Sequence, residues 1–408
     1  MRACERLLNY VTIPTPSDET STTLPSSACQ FNLARELARE CTDLGLSDVQ
    51  IDEHCYVYAH IPPTKGYEHK PSLGFISHLD TVADFCHQEI LPLVTPNYDG
   101  LDLPLGGSQG RILSPDMFPH LKELKGRTLI TSNGDTILGA DDKAGIAEIM
   151  TMAERILAEN LPHGPISIAF TPDEEIGSGA AHLDLKKFNA EFAYTMDGDT
   201  EGEIQYENFN AAKATFLIHG VNVHPSSGKN ILVNAGLVAM ELNSLLPQGE
   251  TPRDTEQYEG FYHLVDMKGE VAQGHLHYIV RDHDWKHFET RLNTLKEIAE
   301  QMNKKWGAGT VELTITQQYK NMAQIIENGH MHLIENAKKA WEAAGVRPIV
   351  LPIRGGTDGA QLSFRGLPCP NLGTGGHGYH GPYEHITAEG MDRTVDMMVE
   401  LVQIYAQS

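Results

Sequence analysis

The chain has 408 residues, of which 40% are hydrophobic and 21% charged, with 37 glycines and 22 prolines. That balance is globular, excludes collagen-like, coiled-coil and wholly disordered chains, and at this length predicts about two domains. A formal net charge of −24 argues against nucleic acid and anionic membrane as partners, and leaves carboxylates free to gather around divalent cations.

The opening MRACERLLNYVTIPTPSDET shows no signal-peptide pattern. No window approaches the length of an apolar membrane span. The six cysteines are scattered without a CxxC. Together these predict reduced thiols in a cytoplasmic protein. A first amphipathic helix is followed by a polar loop over Pro14–Ser27. Leu73–Ser77 reads as a buried strand. Residues 87–127 have no clear period and predict short strands or a functional loop. Gly145–Leu157 is helical, with Ile146, Ile149, Met150, Ala153 and Ile156 or Leu157 on one face. Ile166–Thr171 and Phe192–Met196 are strands. Near the end, Met331–Ala344 is a helix stopping at Gly345, Pro348–Pro352 a strand, and Asp358–Phe364 the start of a helix. Strands separated by helices predict an α/β fold. Its sheet is mixed, largely parallel and flanked by helices.

Between these segments the pattern changes. Ala212–His219 alternates as a strand and Ile231–Leu246 is helical. Phe261–Met267 and Gly274–Arg281 are strands joined by a Lys-Gly-Glu turn. Trp285–Met302 is a helix and Thr310–Thr316 a strand. The order β-α-β-β-α-β is that of a ferredoxin-like α+β domain. It predicts an inserted domain at 210–320, splitting a main domain into 1–209 and 321–408.

The polar clusters fall at strand ends. His78 and Asp80 follow the strand at 73–77. Glu174 and Glu175 follow Thr171, Asp197 follows Met196, and Asp141 and Asp142 precede the helix at Gly145. His380 lies in the Gly-rich GTGGHGYHG. Open α/β sheets bind ligands outside the carboxyl ends of their strands, so these segments converge on one cleft. Imidazoles and carboxylates without thiolate suit zinc, manganese or cobalt at a hydrolytic site. The set fits two metals bridged by Asp141, with His78 and Asp197 on one and Glu175 and His380 on the other. Asp80 can accept the second ring N–H of His78. Glu174 points away from Glu175 and can take a proton from the attacking water, then pass it to the leaving amine. The plainer reading keeps DDKAG as a helix cap through Asp142 and TPDEEIG as a solvated turn.

The segments HLD, LGADDKAGIAEIM, TPDEEIGSGA, YTMDGD and RGGTDGAQLSFRGLPCPNLGTGG together resemble the dizinc exopeptidases of the aminoacylase and carboxypeptidase G2 type, and most closely their tripeptide aminopeptidase branch. The resemblance covers nearly the whole chain. It implies the same ligands, His78, Asp141, Glu175, Asp197 and His380. It also implies Glu174 as general base, Asp80 behind His78, and a cis peptide between Asp141 and Asp142. It makes the inserted domain a lid and dimerisation domain, hence a homodimer. It further implies that His224 stabilises the oxyanion, that Arg281 and Arg354 hold the peptide's C-terminal carboxylate, and that Asn230 touches substrate. The family usually has Asn two residues before the ligand histidine, where this chain has Gly378. His377 and His385 lie nearby as rival ligands, and His380 is kept because Gly381 follows it.

The expected function is therefore a metal-dependent aminopeptidase. It removes the N-terminal residue of a small peptide, a tripeptide, by attack of a metal-bridging water activated by Glu174. A dipeptidase, a carboxypeptidase or an N-acyl amino acid deacylase would use the same metals. A non-catalytic peptide-binding relative is the remaining class.

Overall fold

A computed structural model describes residues 1–86 and 89–407. The chain forms two compact units. The first comprises Met1–Tyr206, Met322–Leu351 and Thr357–Ser408, the second Glu207–Asn321 and Pro352–Gly356. Arg354 thus belongs to the second unit, although residues 321–408 read in sequence as one stretch of the main domain.

The first unit is built on an eight-stranded sheet. Its order is Ser47–Ile51, Val57–Ile61, Ile166–Thr171, Leu73–His78, Phe192–Gly198, Asn371–Gly373, Glu203–Gln205 and Ile349–Val350. The middle four strands, from Ile166–Thr171 to Asn371–Gly373, are parallel. Their neighbours Val57–Ile61 and Glu203–Gln205 are antiparallel to them. Leu73–His78 and Ile166–Thr171 are buried at every position. Strands covered on both faces read in sequence as continuous apolar runs, and these two do. Helices Ala3–Tyr10, Ala140–Ala158, His332–Ala343 and Ala388–Gln407 pack together beside the sheet.

The helix Ala140–Ala158 departs from a one-sided amphipathic pattern. Every residue from Asp142 to Ala153 is buried, because the helix lies between sheet and helices rather than at the surface. At Gly145 a Cβ would stand 2.1 Å from the Met196 carbonyl oxygen and 2.5 Å from Ser77 Oγ. Only glycine lets the helix start so close to the strands that carry His78 and Asp197.

Residues 87 and 88 lie outside the described residues. The remainder of the 87–127 stretch forms short strands Leu93–Thr95, Leu103–Pro104 and Ile112–Leu113 and a 3-10 turn, Pro119–Leu124. These segments share a small core that includes Tyr98, Leu105, Leu113, Leu121 and Leu124. The expected strand at Pro348–Pro352 shrinks to Ile349–Val350, an exposed edge.

The second unit has a four-stranded antiparallel sheet in the order Phe261–Gly269, Gln273–Asp282, Asn210–His219, Val311–Tyr319. Helices Ala235–Ser244 and Trp285–Trp306 cover one face. Ala212, Ala214, Phe216 and Ile218 alternate toward them, as do Leu276, Tyr278 and Val280. The first helix starts at Ala235 rather than Ile231, because the Asn234 side chain accepts from the amides of Gly236 and Leu237 and caps it there.

Candidate metal centre

The parallel strands bring the predicted residues to one edge of the first unit. His78 ends its strand and Asp197 is the penultimate residue of the neighbouring one. Glu174 and Glu175 follow the strand ending at Thr171, after Asp173, whose φ of +56° turns the chain. Asp141 and Asp142 open the buried helix with non-helical dihedrals, and the peptide between them is cis. His380 lies in the connection between the short strands Gly376–His377 and His385–Thr387 and holds a φ of +59°. That conformation is uncommon for a side-chain-bearing residue.

Asp141 stands at the middle. Its Oδ1 lies 2.9 Å from His78 Nε2, and its Oδ2 lies 3.0 Å from His380 Nε2. His78 Nε2 is also 3.4 Å from Asp197 Oδ1, and His380 Nε2 is 3.1 Å from Glu175 Oε2. The two oxygens of one carboxylate therefore face two separate histidine–carboxylate pairs. Glu175 Oε1 is buried and has no hydrogen-bond partner among the described residues. An orphaned acceptor on a buried carboxylate marks a place for a positive charge. The donor set and this unsatisfied oxygen both fit divalent cations.

Electrostatics point the same way. Burial pushes Asp197 up to about 7. Burial and then Asp197 hold the Glu174 carboxyl well above its usual range. Burial also raises Glu175 and Asp142. Burial pulls His78 down, but Asp197, Asp141 and Asp80 outweigh it and leave the ring well above its ordinary value. The bonds to Asp141 and Glu175 lift His380 to about 11.

The layer behind the candidate ligands is more specific than the sequence suggested. The nearest acceptor to His78 Nδ1 is the Asp80 main-chain oxygen at 2.9 Å, with the Asp80 carboxylate at 3.4 Å. A carbonyl only accepts, so Nδ1 carries the hydrogen and Nε2 faces the cluster. The Asp80 carboxylate instead accepts the backbone amides of Glu174 at 2.9 Å and Glu175 at 3.2 Å. It fixes the turn that carries both glutamates. Asp142 does not cap the helix, since its carboxylate accepts the His78 amide at 3.1 Å.

Glu384 was not anticipated. It is 1% exposed, and its carboxylate accepts the amides of Leu138 and Gly139 at 2.7 Å and of Asp141 at 3.0 Å. Asn371 Oδ1 likewise accepts the Asp197 amide at 3.0 Å. A hint of the first was available, as an acidic residue between two histidines in HGPYEH. His380 is the histidine of this tail that reaches Asp141. His377 and His385 instead stack with His120. Gly378 has a φ of +68°, and a Cβ there would stand 2.9 Å from the Tyr383 carbonyl oxygen. Both the positive φ and the close approach suit glycine.

The four residues assigned to substrate lie in the second unit. His224 and Asn230 are exposed in the loop before Ala235. His224 Nδ1 is 2.7 Å from Ser226 Oγ and accepts the Ser226 amide at 3.3 Å. Arg281 is 9% exposed, donates to the carbonyls of Ala212 and Val280, and lies over the Tyr319 ring. Arg354 donates to the carbonyls of Thr255, Gln257 and Glu259 and stacks on Phe209 and Phe261.

The sequence profile of peptidase family M20/M25/M40 matches residues 134–404. Over 407 residues the chain is 49% identical to a protein named Peptidase T from Caldanaerobacter subterraneus subsp. tengcongensis, covering 100% of this chain and 99% of that one. The chain belongs to this family. As a member of a peptidase family it is a hydrolase. Its fold is shared with solved structures of an aminopeptidase PepT from Bacillus cereus and a tripeptidase from Staphylococcus aureus. Both have a TM-score of 0.78 over 100% of this chain and 98% of theirs, at 23% and 22% identity. The matched span includes the segments of Asp141, Glu174, Glu175, Asp197, His380 and Glu384, and starts after His78. No helix among the described residues is long and apolar enough to cross a membrane.

Proposed function

We propose that this family member is a metal-dependent aminopeptidase that removes the N-terminal residue of tripeptides at the Asp141 cluster. The observation that carries the metal assignment is the placing of the two Asp141 oxygens against His78 and His380, with Asp197 and Glu175 completing one side each. These residues would hold two divalent cations, zinc in the first place, with manganese or cobalt suited to the same donors. Bound there, cations would supply Lewis acidity toward the scissile carbonyl and the attacking water.

The chain's own groups do the rest. Glu174 stands beside the ligand Glu175, its amide held by Asp80. Its carboxylate, made more basic by burial, takes a proton from the attacking water and returns it to the leaving amine. His224 steadies the developing oxyanion, Asn230 touches the substrate, and Arg281 and Arg354 receive the carboxylate at the far end. For Arg354 this requires exchanging carbonyls of the 255–259 segment for substrate. The second unit serves as lid and dimerisation domain of a cytoplasmic homodimer. Relatives named Peptidase T at 49% identity over the full chain support the substrate class.

The test is cleavage of a free tripeptide, its N-acetyl form and its C-terminal amide, with products read by mass spectrometry. The free tripeptide should yield its first residue and a dipeptide. The N-acetyl form should be slower by about 100-fold or more, since a site built for one polar end rejects its blocked analogue. Release of the C-terminal residue, or rapid deacylation, would replace the aminopeptidase reading with a carboxypeptidase or deacylase.

A further inference from the structure

A second group of histidines and carboxylate lies in the second unit and is made of residues given no role above. Strand Gln273–Asp282 buries Leu276, Tyr278 and Val280 against the helices, so His275 and His277 share the opposite, open face. Their rings lie 4.9 Å apart between centroids. The neighbouring strand Phe261–Gly269 pairs Leu264 with Tyr278, and its register then shifts, so that Asp266 pairs with His277. In an unbroken ladder Val265 would face His277 and Asp266 would fall on the core side. The extra residue turns Asp266 onto the histidine face. Bulges recur where a strand must re-aim a side chain.

We infer that His275, His277 and Asp266 form a separate site for one borderline divalent cation such as zinc, nickel or copper. Asp266 Oδ2 lies 2.5 Å from His275 Nε2 and 3.8 Å from His277 Nδ1. One donor atom of each residue falls within 4.8 Å of the others. Two imidazoles and one carboxylate select such cations over magnesium or calcium, which prefer oxygen shells. The side chains are 28% to 52% exposed, so water fills the remaining positions. Lys268 pairs with His275 and is the adverse charge. It is exposed, and its long stem lets the ammonium turn to solvent. A cation here ties adjacent strands together and stabilises the folded chain by mass action.

The experiment is equilibrium dialysis of the full chain, stripped with chelator, against cobalt(II), with visible absorption followed in parallel. The double substitution His275→Ala/His277→Ala should bind one equivalent per chain fewer than the parent. Asp266→Asn, which keeps the shape of the side chain, should bind that equivalent about tenfold or more weakly, since an amide oxygen carries no charge. Equal stoichiometry and affinity in parent and both variants would overturn the site. The comparison is a difference between variants, so its failure leaves the Asp141 reading standing.

Discussion

Around Asp141, His78 is 2% exposed and Asp80 fully buried, and burial lifts the carboxyls of Asp197 and Glu174. Around Asp266 the same residue types are 28% to 52% exposed. The difference lies in what surrounds the donors. The buried cluster has an outer layer: Glu384 holds the Asp141 amide, Asp80 the amides of both glutamates, and Asn371 that of Asp197. Donors held by a second layer, as His78, Asp141, Asp197 and Glu175 are here, suit the polarising of a substrate, even with His380 at 53% exposure; donors on an open strand face suit the holding of a cation. Ligand types alone do not separate a hydrolytic centre from a binding site.

The largest effect belongs to the bridging residue. Asp141→Asn removes the charge that faces both imidazoles. It should lower tripeptide cleavage by about 10⁴-fold or more, with loss of bound metal. A variant retaining parental turnover would dissolve the distinction between the clusters. Glu174→Gln should cost about 10²–10⁴-fold in kcat while metal content stays at the parental level. Metal loss in that variant would instead make Glu174 a ligand. Glu384→Gln tests the outer layer and should cost about 10–100-fold in activity or metal affinity. The matching substitution on the open face, Asp266→Asn, should leave cleavage unchanged.

Burial also predicts a pH dependence away from the ligands. His385 is fully buried, and burial pulls its imidazole down to about 4. Its folded pKa lies below the unfolded value of roughly 6.5. Between those values the unfolded chain binds a proton that the folded chain refuses. Stability from this group is therefore complete above about pH 6.5 and falls as pH drops toward 4, by roughly 3 kcal/mol in all. Thermal denaturation of chelator-stripped parent and His385→Gln should show a steeper loss of Tm in the parent over that range. Parallel curves would assign His385 no such part.

Much of the candidate centre was legible because its residues sit where strands stop. The apolar runs Leu73–Ser77, Ile166–Thr171 and Phe192–Met196 mark three ends, and His78, Glu175 and Asp197 follow them in sequence. The β-α-β-β-α-β order of the second unit was legible from strand alternation and helix period. Other features depend on contacts that no local period reports. Glu384 acts through amides more than 240 residues away in sequence. The strand Ser47–Ile51 is a sheet edge with alternating exposure and a polar sequence. Helix Ala140–Ala158 reads as one-sided because Glu148 and Thr151 are polar, yet both are buried. The turn that brings Asp266 beside His277 depends on a register shift, which only the paired strands reveal.

The central claim is that the Asp141 cluster hydrolyses peptides through cations. The most direct test measures bound metal and tripeptide cleavage on one sample, before and after chelation and after return of zinc or manganese. The account predicts two tightly held equivalents that leave together with activity and restore it on return. Undiminished cleavage by the chelator-stripped chain would contradict it.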